Sequence, residues 1–389
     1  MRNRPVAGRV LGPRALNRAL LERQLLLRRR RLRPLEAVEW LVALQAQVPR
    51  DPYVALWSRL EPFRSEALSA ALADRQAVRM TFLRGTLHFV TARDAVALRP
   101  LFQPVVERAF FAQRAFRRAA EAIGPEFDEV LRLLRERLEE RPRTRAELAD
   151  AVAGRWPDHD ASSLASAVFL IPTVQVTPRG LWRTSGRPAV TTLERWLGAG
   201  PDEPGSSLGE LVSRYLAVFG PATPADATSW SGVPGMREVF ERLRPRLRTF
   251  RDDRGRELFD VPRAPLPDPE APAPVRFLPE YDNALIGHED RTRIIPVGAA
   301  QWTEVGWGSV LVDGFLAARW RVHSGQKEGS TLRVEPFRRL TAPEQAEVTE
   351  EGVRLLRCLQ PDAGTHDVRL VERIEPAASA LRPNSPRAR

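Results

Sequence analysis

The sequence predicts an α+β chain of tandem helix–hairpin units with a β-rich segment after them. Two observations carry this. One plan recurs three times at a spacing of roughly 80 residues: a helix, a capped second helix, a third helix and two β-rich runs joined by a turn. After Pro262 the composition changes to a proline-rich stretch and then to longer β-rich runs. Helix, turn-separated helices and hairpin together make the winged-helix plan. The competing reading is a generic α+β protein whose helix pairs and hairpins recur by chance.

The first unit spans about Leu11 to Ala92. Leu16, Leu20, Leu21, Leu25 and Leu26 at helical spacing predict an amphipathic helix over Ala15–Arg30. Pro34 opens a second helix through Leu44, with Glu36 in its first turn, and Ser65–Ala73 forms a third. Val78–Leu83 and Thr86–Val90 flank Arg84-Gly85 as a hairpin.

The second unit, about Gly124 to Thr192, has helices over Phe127–Leu138 and Ser162–Phe169, and between them the capping box Thr144-Arg145-Ala146-Glu147. Val174–Thr177 and Leu181–Thr184 flank Pro178-Arg179-Gly180 as its expected strand pair. The third unit, about Ser207 to Pro262, has a helix over Leu208–Phe219. Thr223-Pro224-Ala225-Asp226 starts a second with a cap, an N1 proline and an acid. Val233–Leu243 is a third helix, and a hairpin runs over Leu247–Arg251 and Glu257–Val261.

Pro262 to Pro274 carries six prolines and reads as an extended linker. Beyond it, strands are expected over Gly308–Val322 and Thr331–Pro336, with a polar turn over Ser324–Ser330 and a helix over Glu344–Leu359 opened by Thr341-Ala342-Pro343-Glu344. The resulting division is residues 10–105, 106–198 and 199–275 as three winged-helix domains, 276–375 as a β-rich domain and 376–389 as a disordered tail.

Hydrophobic residues make up 43% and charged residues 28% of the 389, which supplies real cores and argues against wholesale disorder. Basic residues number 60 against 49 acidic, a formal charge of +11, and Lys327 is the only lysine. That balance favours a polyanionic partner, because each cation placed at a phosphate releases counterions. The single cysteine, Cys358, excludes an intramolecular disulfide framework and a cysteine-based zinc site. No apolar run reaches the roughly 18 residues of a membrane span. Basic Met1–Arg9 is not followed by the apolar core of a signal peptide. A soluble, cytoplasmic protein is expected.

His88, His159, His288, His323 and His366 are scattered without ligand spacing, so no metal is expected. A nucleophile elbow, a phosphate-cradling Gly-rich loop and a dinucleotide fingerprint are all missing, so no cofactor is expected and serine hydrolases, ATPases and nicotinamide enzymes are disfavoured.

What stands out is Leu44–Tyr53, LQAQVPRDPY. Pro49 biases Val48 away from helix. In a helix, positions i and i+2 diverge by roughly 200°, whereas in an extended segment they share one face. Gln45 and Gln47 would then converge as two uncharged groups that both donate and accept. On spacing alone, a polar helix end with both glutamines meeting backbone groups is the better explanation.

Gln45-Ala46-Gln47 in the context LQAQVPRDPYVALWSRL, followed by Leu83-Arg84-Gly85-Thr86-Leu87-His88, resembles the AlkZ-type winged-helix DNA glycosylases. Leu278–Pro296 (LPEYDNALIGHEDRTRIIP) and Val312–Val322 (VDGFLAARWRV) are similar to the same family, so the likeness spans about Arg14 to Leu359. It implies tandem winged helices around a concave, C-shaped DNA-binding surface, and hydrolysis of the N-glycosidic bond of alkylated purines by a monofunctional, monomeric enzyme acting on double-stranded DNA. The family signature, Gln-apolar-Gln, maps onto Gln45, Ala46 and Gln47 as the catalytic motif. A sister group has Asp in the last position, and this chain does not. Arg50, Arg84, His88, Arg291 and Arg293 become candidate DNA contacts, and Asp282, Asn283 and Asp290 candidate supports of the site.

Each of these has a plainer alternative. Arg84 and His88 also suit a surface hairpin, and an internal salt bridge also explains Asp290-Arg291. Tyr53 and Trp57, four apart, suit the core better than a base-stacking platform. The run Arg28–Arg31 with Arg33 is either a phosphate-contacting stripe or a solvated helix end. Among functions, a non-catalytic DNA binder or regulator competes with the glycosylase, although no heptad seam for a dimer is present. A nuclease is disfavoured for want of a carboxylate cluster.

Overall fold

The computed structural model describes residues 9–198, 205–299, 306–324 and 329–371. Two compact units divide the chain: residues 1–272 with 281–294, and residues 273–280 with 295–389. The segment 281–294, read from the sequence as part of the β-rich domain, therefore belongs to the first unit.

The first unit opens with β1 (Val10–Leu11), α1 (Pro13–Arg23), α2 (Pro34–Trp40), β2 (Leu44–Gln45), α3 (Asp51–Trp57) and α4 (Ser65–Ala73). The strands β3 (Ala77–Thr81) and β4 (Leu87–Thr91) follow, joined by a 3-10 turn at Leu83–Gly85. Then come α5 (Ala92–Ala112), α6 (Arg114–Ile123), α7 (Phe127–Glu140), α8 (Arg145–Arg155), α9 (Ala161–Ala165), β5 (Thr173–Gln175), β6 (Val190–Thr192) and α10 (Leu193–Leu197). The last stretch before the prolines is α11 (Leu208–Phe219), α12 (Pro224–Ser231), α13 (Met236–Leu243), β7 (Arg248–Asp252) and β8 (Glu257–Asp260).

Two of the expected helices end early, and packing says why. The α1 helix stops at Arg23, and Leu25 takes a left-handed φ of 59°. Leu25, Leu26 and Leu27 are all buried, which three consecutive residues of one helix face cannot be. Likewise α2 stops at Trp40, after which Leu41, Val42, Ala43 and Leu44 are all buried and Val42 sits at φ 70°. This early ending releases Leu44–Gln45 to pair as a strand.

The expected strand pair of the second unit is corrected. Leu181–Thr184 forms turns, and β5 pairs instead with β6 in an antiparallel register, Val174 opposite Thr191. Backbone groups of the expected turn and return strand bond elsewhere: Gly180 O accepts from Tyr53 OH at 2.8 Å, and Trp182 N–H donates to Ser69 Oγ at 2.8 Å. The helices α5 and α6 were not foreseen, since Pro100 and Pro104 sit inside α5 and each removes a backbone donor.

The short-range signals fared better. Capping boxes form at Thr144/Glu147, Thr223/Asp226 and Thr341/Glu344, and the β7–β8 hairpin pairs Arg248 with Asp260. One sheet runs β2-β4-β3-β5-β6, so strands from the first two predicted units share it, and a second runs β1-β7-β8 with β1 parallel to β7.

The second unit holds β9 (Arg276–Leu278). The chain then returns to the first unit for α14 (Asn283–Ile286) and to the second for β10 (Gly308–Val312), β11 (Phe315–Ser324), β12 (Ser330–Pro336), α15 (Ala342–Leu359) and β13 (His366–Leu370). The predicted single strand over Gly308–Val322 is a hairpin, because Asp313 (φ 48°) and Gly314 (φ 80°) turn the chain between β10 and β11. Residues 325–328, inside the predicted polar turn, and the predicted tail 376–389 lie outside the described residues.

Much of the arginine is structural: Arg18, Arg23, Arg59 and Arg79 are among the largest fully buried side chains. Arg59 makes a two-pronged pair with Asp282, Nη1 to Oδ2 at 2.8 Å and Nη2 to Oδ1 at 2.7 Å, and also donates to the carbonyls of Gln24 and Ala55. Removing one partner strands the other charge in the interior, typically at about 3–5 kcal/mol. Asp282→Ala is accordingly expected to destabilise the first unit by about that amount in urea denaturation. A loss below about 1 kcal/mol would show that the pair does not anchor the segment.

Candidate active site around the glutamine strand

The Gln-Ala-Gln stretch is paired as a strand through Ala46, and Gln47 opens the bend that follows. Leu44 pairs with Phe89 and Gln45 with His88, and Ala46 N–H continues the ladder to Leu87 O at 2.9 Å. Burial alternates along it: Leu44 and Ala46 are buried, Gln45 is half-buried and Gln47 is exposed. Both glutamines therefore have access to solvent while Ala46 between them does not.

Two buried side chains hold the backbone of this strand from behind. Arg79 on β3 is 1% exposed and donates through Nη2 to Ala46 O at 2.7 Å and through Nη1 to Gln175 Oε1 at 2.6 Å. Asn283 donates through Nδ2 to Ala43 O. Arg79 was not singled out from the sequence. Its signal was there, as an arginine inside the apolar run Val78–Leu83. Burial pulls its pKa down to about 10, and the nearby Arg179 charge pushes the same way.

Arg84 is the other neighbour of the pair. It occupies the left-handed region (φ 54°) at the tip of the β3–β4 turn and reaches two acceptors, Gln45 Oε1 at 2.8 Å and Trp230 O at 2.5 Å. The second lies in the last turn of α12, where carbonyls lack helical partners and the helix dipole favours a cation. A side chain on Gly232 would meet the Arg84 backbone, its Cβ standing 3.2 Å from Arg84 Cα, so this close approach depends on glycine. Burial and the nearby charge of Arg291 lower the Arg84 pKa to about 10.

The remaining candidates divide. Arg50 and Arg291 are exposed. His88 and Arg293 are not: they are 0% and 4% exposed, which removes both from the surface contacts expected of them. Arg293 donates to Pro221 O at 2.9 Å and accepts on its own carbonyl from Asn17 Nδ2, so it ties segments together inside the first unit. Asp282 caps α14 by accepting from Ala284 N–H, besides meeting Arg59. Asp290 accepts from Thr292 and from Arg254 and Arg256, which answers the internal-salt-bridge alternative: its partners are these arginines and not Arg291. Although burial opposes it, the hydrogen bonds from Thr292 and Arg256 leave the Asp290 carboxyl down at about 2.

Tyr53 is core, 1% exposed, with its hydroxyl on Gly180 O. Trp57 carries the Arg29 guanidinium 4.6 Å above its ring, while Arg28 and Arg30 pair with Glu22 and Arg33 with Glu36. Most of that basic run is therefore engaged within the protein. Among the described residues no group of three His, Cys, Asp or Glu side chains could hold a metal ion, and no helix is long and apolar enough to cross a membrane.

A family model described as DNA glycosylase AlkZ-like matches residues 38–358, from α2 to the end of α15, and so includes the glutamine strand, Arg84 and the 281–294 segment. The chain belongs to the AlkZ-like DNA glycosylase family. No curated protein matches it. Membership makes DNA the macromolecular partner and base excision the class of activity that this AlkZ-like chain has to account for.

One property of the site titrates. Burial, aided by the Arg84 charge, drives the His88 imidazole down to about 3. An unfolded histidine binds its proton near pH 6.5, so between these values only the unfolded chain is protonated. Stability is lost as pH falls from about 6.5 toward 3. Between pH 7 and pH 5 the wild-type protein is expected to lose about 2 kcal/mol more than His88→Gln in urea titrations. Equal losses would mean that His88 titrates normally in the fold.

Proposed function

We propose that this AlkZ-like protein hydrolyses the N-glycosidic bond of cationic N-alkylpurines, including bulky or crosslinked ones, in double-stranded DNA. Gln45 and Gln47 are the reacting-site groups. An N7-alkylguanine already carries positive charge and leaves as a neutral base, so the departure needs no strong general acid. What remains is to place a water and to stabilise an oxocarbenium-like sugar. Neutral amides suit both tasks: a carbonyl oxygen orients the water, and a fixed dipole meets the developing positive charge.

The observation that supports this reading is the pair of solvent-accessible glutamines at a short strand whose flanking carbonyls, Ala43 and Ala46, are held by Asn283 and Arg79. A side chain fixed in advance stabilises a transition state without reorganising. Arg84 is a positioning residue in this scheme. Its bond to Gln45 Oε1 leaves that oxygen one lone pair for water and turns both amide N–H groups away from the guanidinium. Exposed Arg50 and Arg291 supply phosphate contacts, and the helix–hairpin units act as winged helices of a monomer on the duplex.

Incubation with a duplex carrying a single N7-methylguanine, scored for released base, tests the assignment. The expected outcome is release by the wild type, a fall of about a hundredfold or more in Gln45→Ala and Gln47→Ala with DNA affinity kept, and little action on a neutral uracil in the same context. Arg84→Lys should also slow release, because one ammonium does not span both acceptors as the guanidinium does. DNA binding with no release by any form would instead make the protein a non-catalytic binder.

A further inference from the structure

Away from the glutamine strand, within the first unit, a cavity of about 410 Å³ opens between α5, α7, the 3-10 turn Ser166–Leu170 and α10. Its volume lies in the range that takes small organic ligands. Leu170, Pro172 and Leu193 make apolar walls. Arg99 enters it from α5, and Arg99 is 2% exposed. None of its three guanidinium nitrogens has a hydrogen-bond partner among the described residues. This contrasts with Arg23 and Arg59, each of which meets a carboxylate with both terminal nitrogens. A guanidinium has five N–H donors and no acceptor, so burying it dry is unfavourable unless something with acceptor oxygens arrives.

Acceptors stand open in the same cavity. Gln103 already donates its amide to Glu107 Oε1 at 2.9 Å and to Leu170 O at 3.1 Å, which leaves its own Oε1 buried without a partner. Glu194 Oε2 is likewise buried without a hydrogen bond, its nearest cation, Arg135, standing at 3.9 Å. Glu107 and Glu194 steady the Arg99 charge from a distance but do not touch it. A bare anion would satisfy Arg99 and leave both acceptors empty. A neutral apolar molecule would satisfy neither.

We propose that this cavity binds a small molecule with a carboxylate, an N–H donor and an apolar body. The carboxylate meets Arg99 in a two-pronged, charge-assisted pair. The N–H meets Gln103 Oε1 and Glu194 Oε2, and the body lies on Leu170, Pro172 and Leu193. The site is independent of the glutamine chemistry and stands whether or not the protein excises bases.

The test uses the full chain without DNA, in calorimetric and thermal-shift titrations with hippurate, L-phenylalanine and benzoate, with the methyl esters of the first two as matches lacking the carboxylate and guanosine as a neutral source of similar donors and acceptors. At least one of the first two should bind, more tightly than benzoate, and the methyl ester of the acid that binds (methyl hippurate or L-phenylalanine methyl ester) should bind at least about tenfold more weakly than that acid. Arg99→Met should abolish the response while leaving the ligand-free melting temperature unchanged or higher, since it removes an unpaired buried cation. The proposal is overturned if neither hippurate nor L-phenylalanine binds, if benzoate binds as tightly as the better of them, if the methyl ester of the acid that binds equals that acid, or if guanosine alone binds. It also fails if Arg99→Met lowers the ligand-free melting temperature, for the chain itself would then hold that cation. The ester comparison uses wild-type protein and decides the matter whatever the variant does.

Discussion

The buried pair between Arg59 and Asp282 is the constraint from which the rest of the site follows. It fastens the 281–294 segment into the first unit and presents the next residue, Asn283, to the Ala43 carbonyl two positions before Gln45. Arg79 holds the same strand at Ala46. A two-residue strand at a sheet edge has few ladder bonds of its own, so its exactness of placement has to come from side chains behind it. The charges that supply it are inside the protein, and the groups they steady are neutral amides on its surface.

This division of labour fits the chemistry proposed above. Excision of an already cationic base asks for little proton transfer and much positioning, so a site built on amides held by buried ions is adequate to it. The +11 charge does not all face DNA. Arginines such as Arg23, Arg59, Arg79 and Arg293 are core residues paired with carboxylates or backbone carbonyls, and Arg50 and Arg291 are among those left at the surface. Arginine suits both duties, because its planar fork satisfies several acceptors at once even when desolvated.

Sequence reasoning succeeded where the rule is local. Helices α4 and α11 begin and end as read, and the boxes at Thr144, Thr223 and Thr341 form because each needs only residues three apart. It failed where distant segments decide. The Leu25–Leu27 and Leu41–Leu44 runs look helical by composition, but packing on all sides breaks them out of the helix. The partner of β5 was misread because the choice between 181–184 and 190–192 turns on bonds made to Tyr53 and Ser69, more than a hundred residues away. His88 and Arg293 read as surface groups in the sequence and are buried in the fold, because a polar side chain in the sequence carries no mark of what covers it. The glutamine pair stood out through the family resemblance: Pro49 and the spacing of two made an extended segment conceivable, but spacing alone favoured a polar helix end, and the strand pairing of Gln45 with His88 is decided by a distant segment.

The claim that most needs a direct test is that base release runs without a titrating acid or base. The measurement is the single-turnover rate of N7-methylguanine release between pH 5.5 and 8.5, on protein shown to stay folded across that range. A rate that stays within about twofold is the result this mechanism gives. A limb falling tenfold per pH unit on the acid side would contradict it and move the chemistry to a carboxylate, with Asp51 at the start of α3 the first to examine.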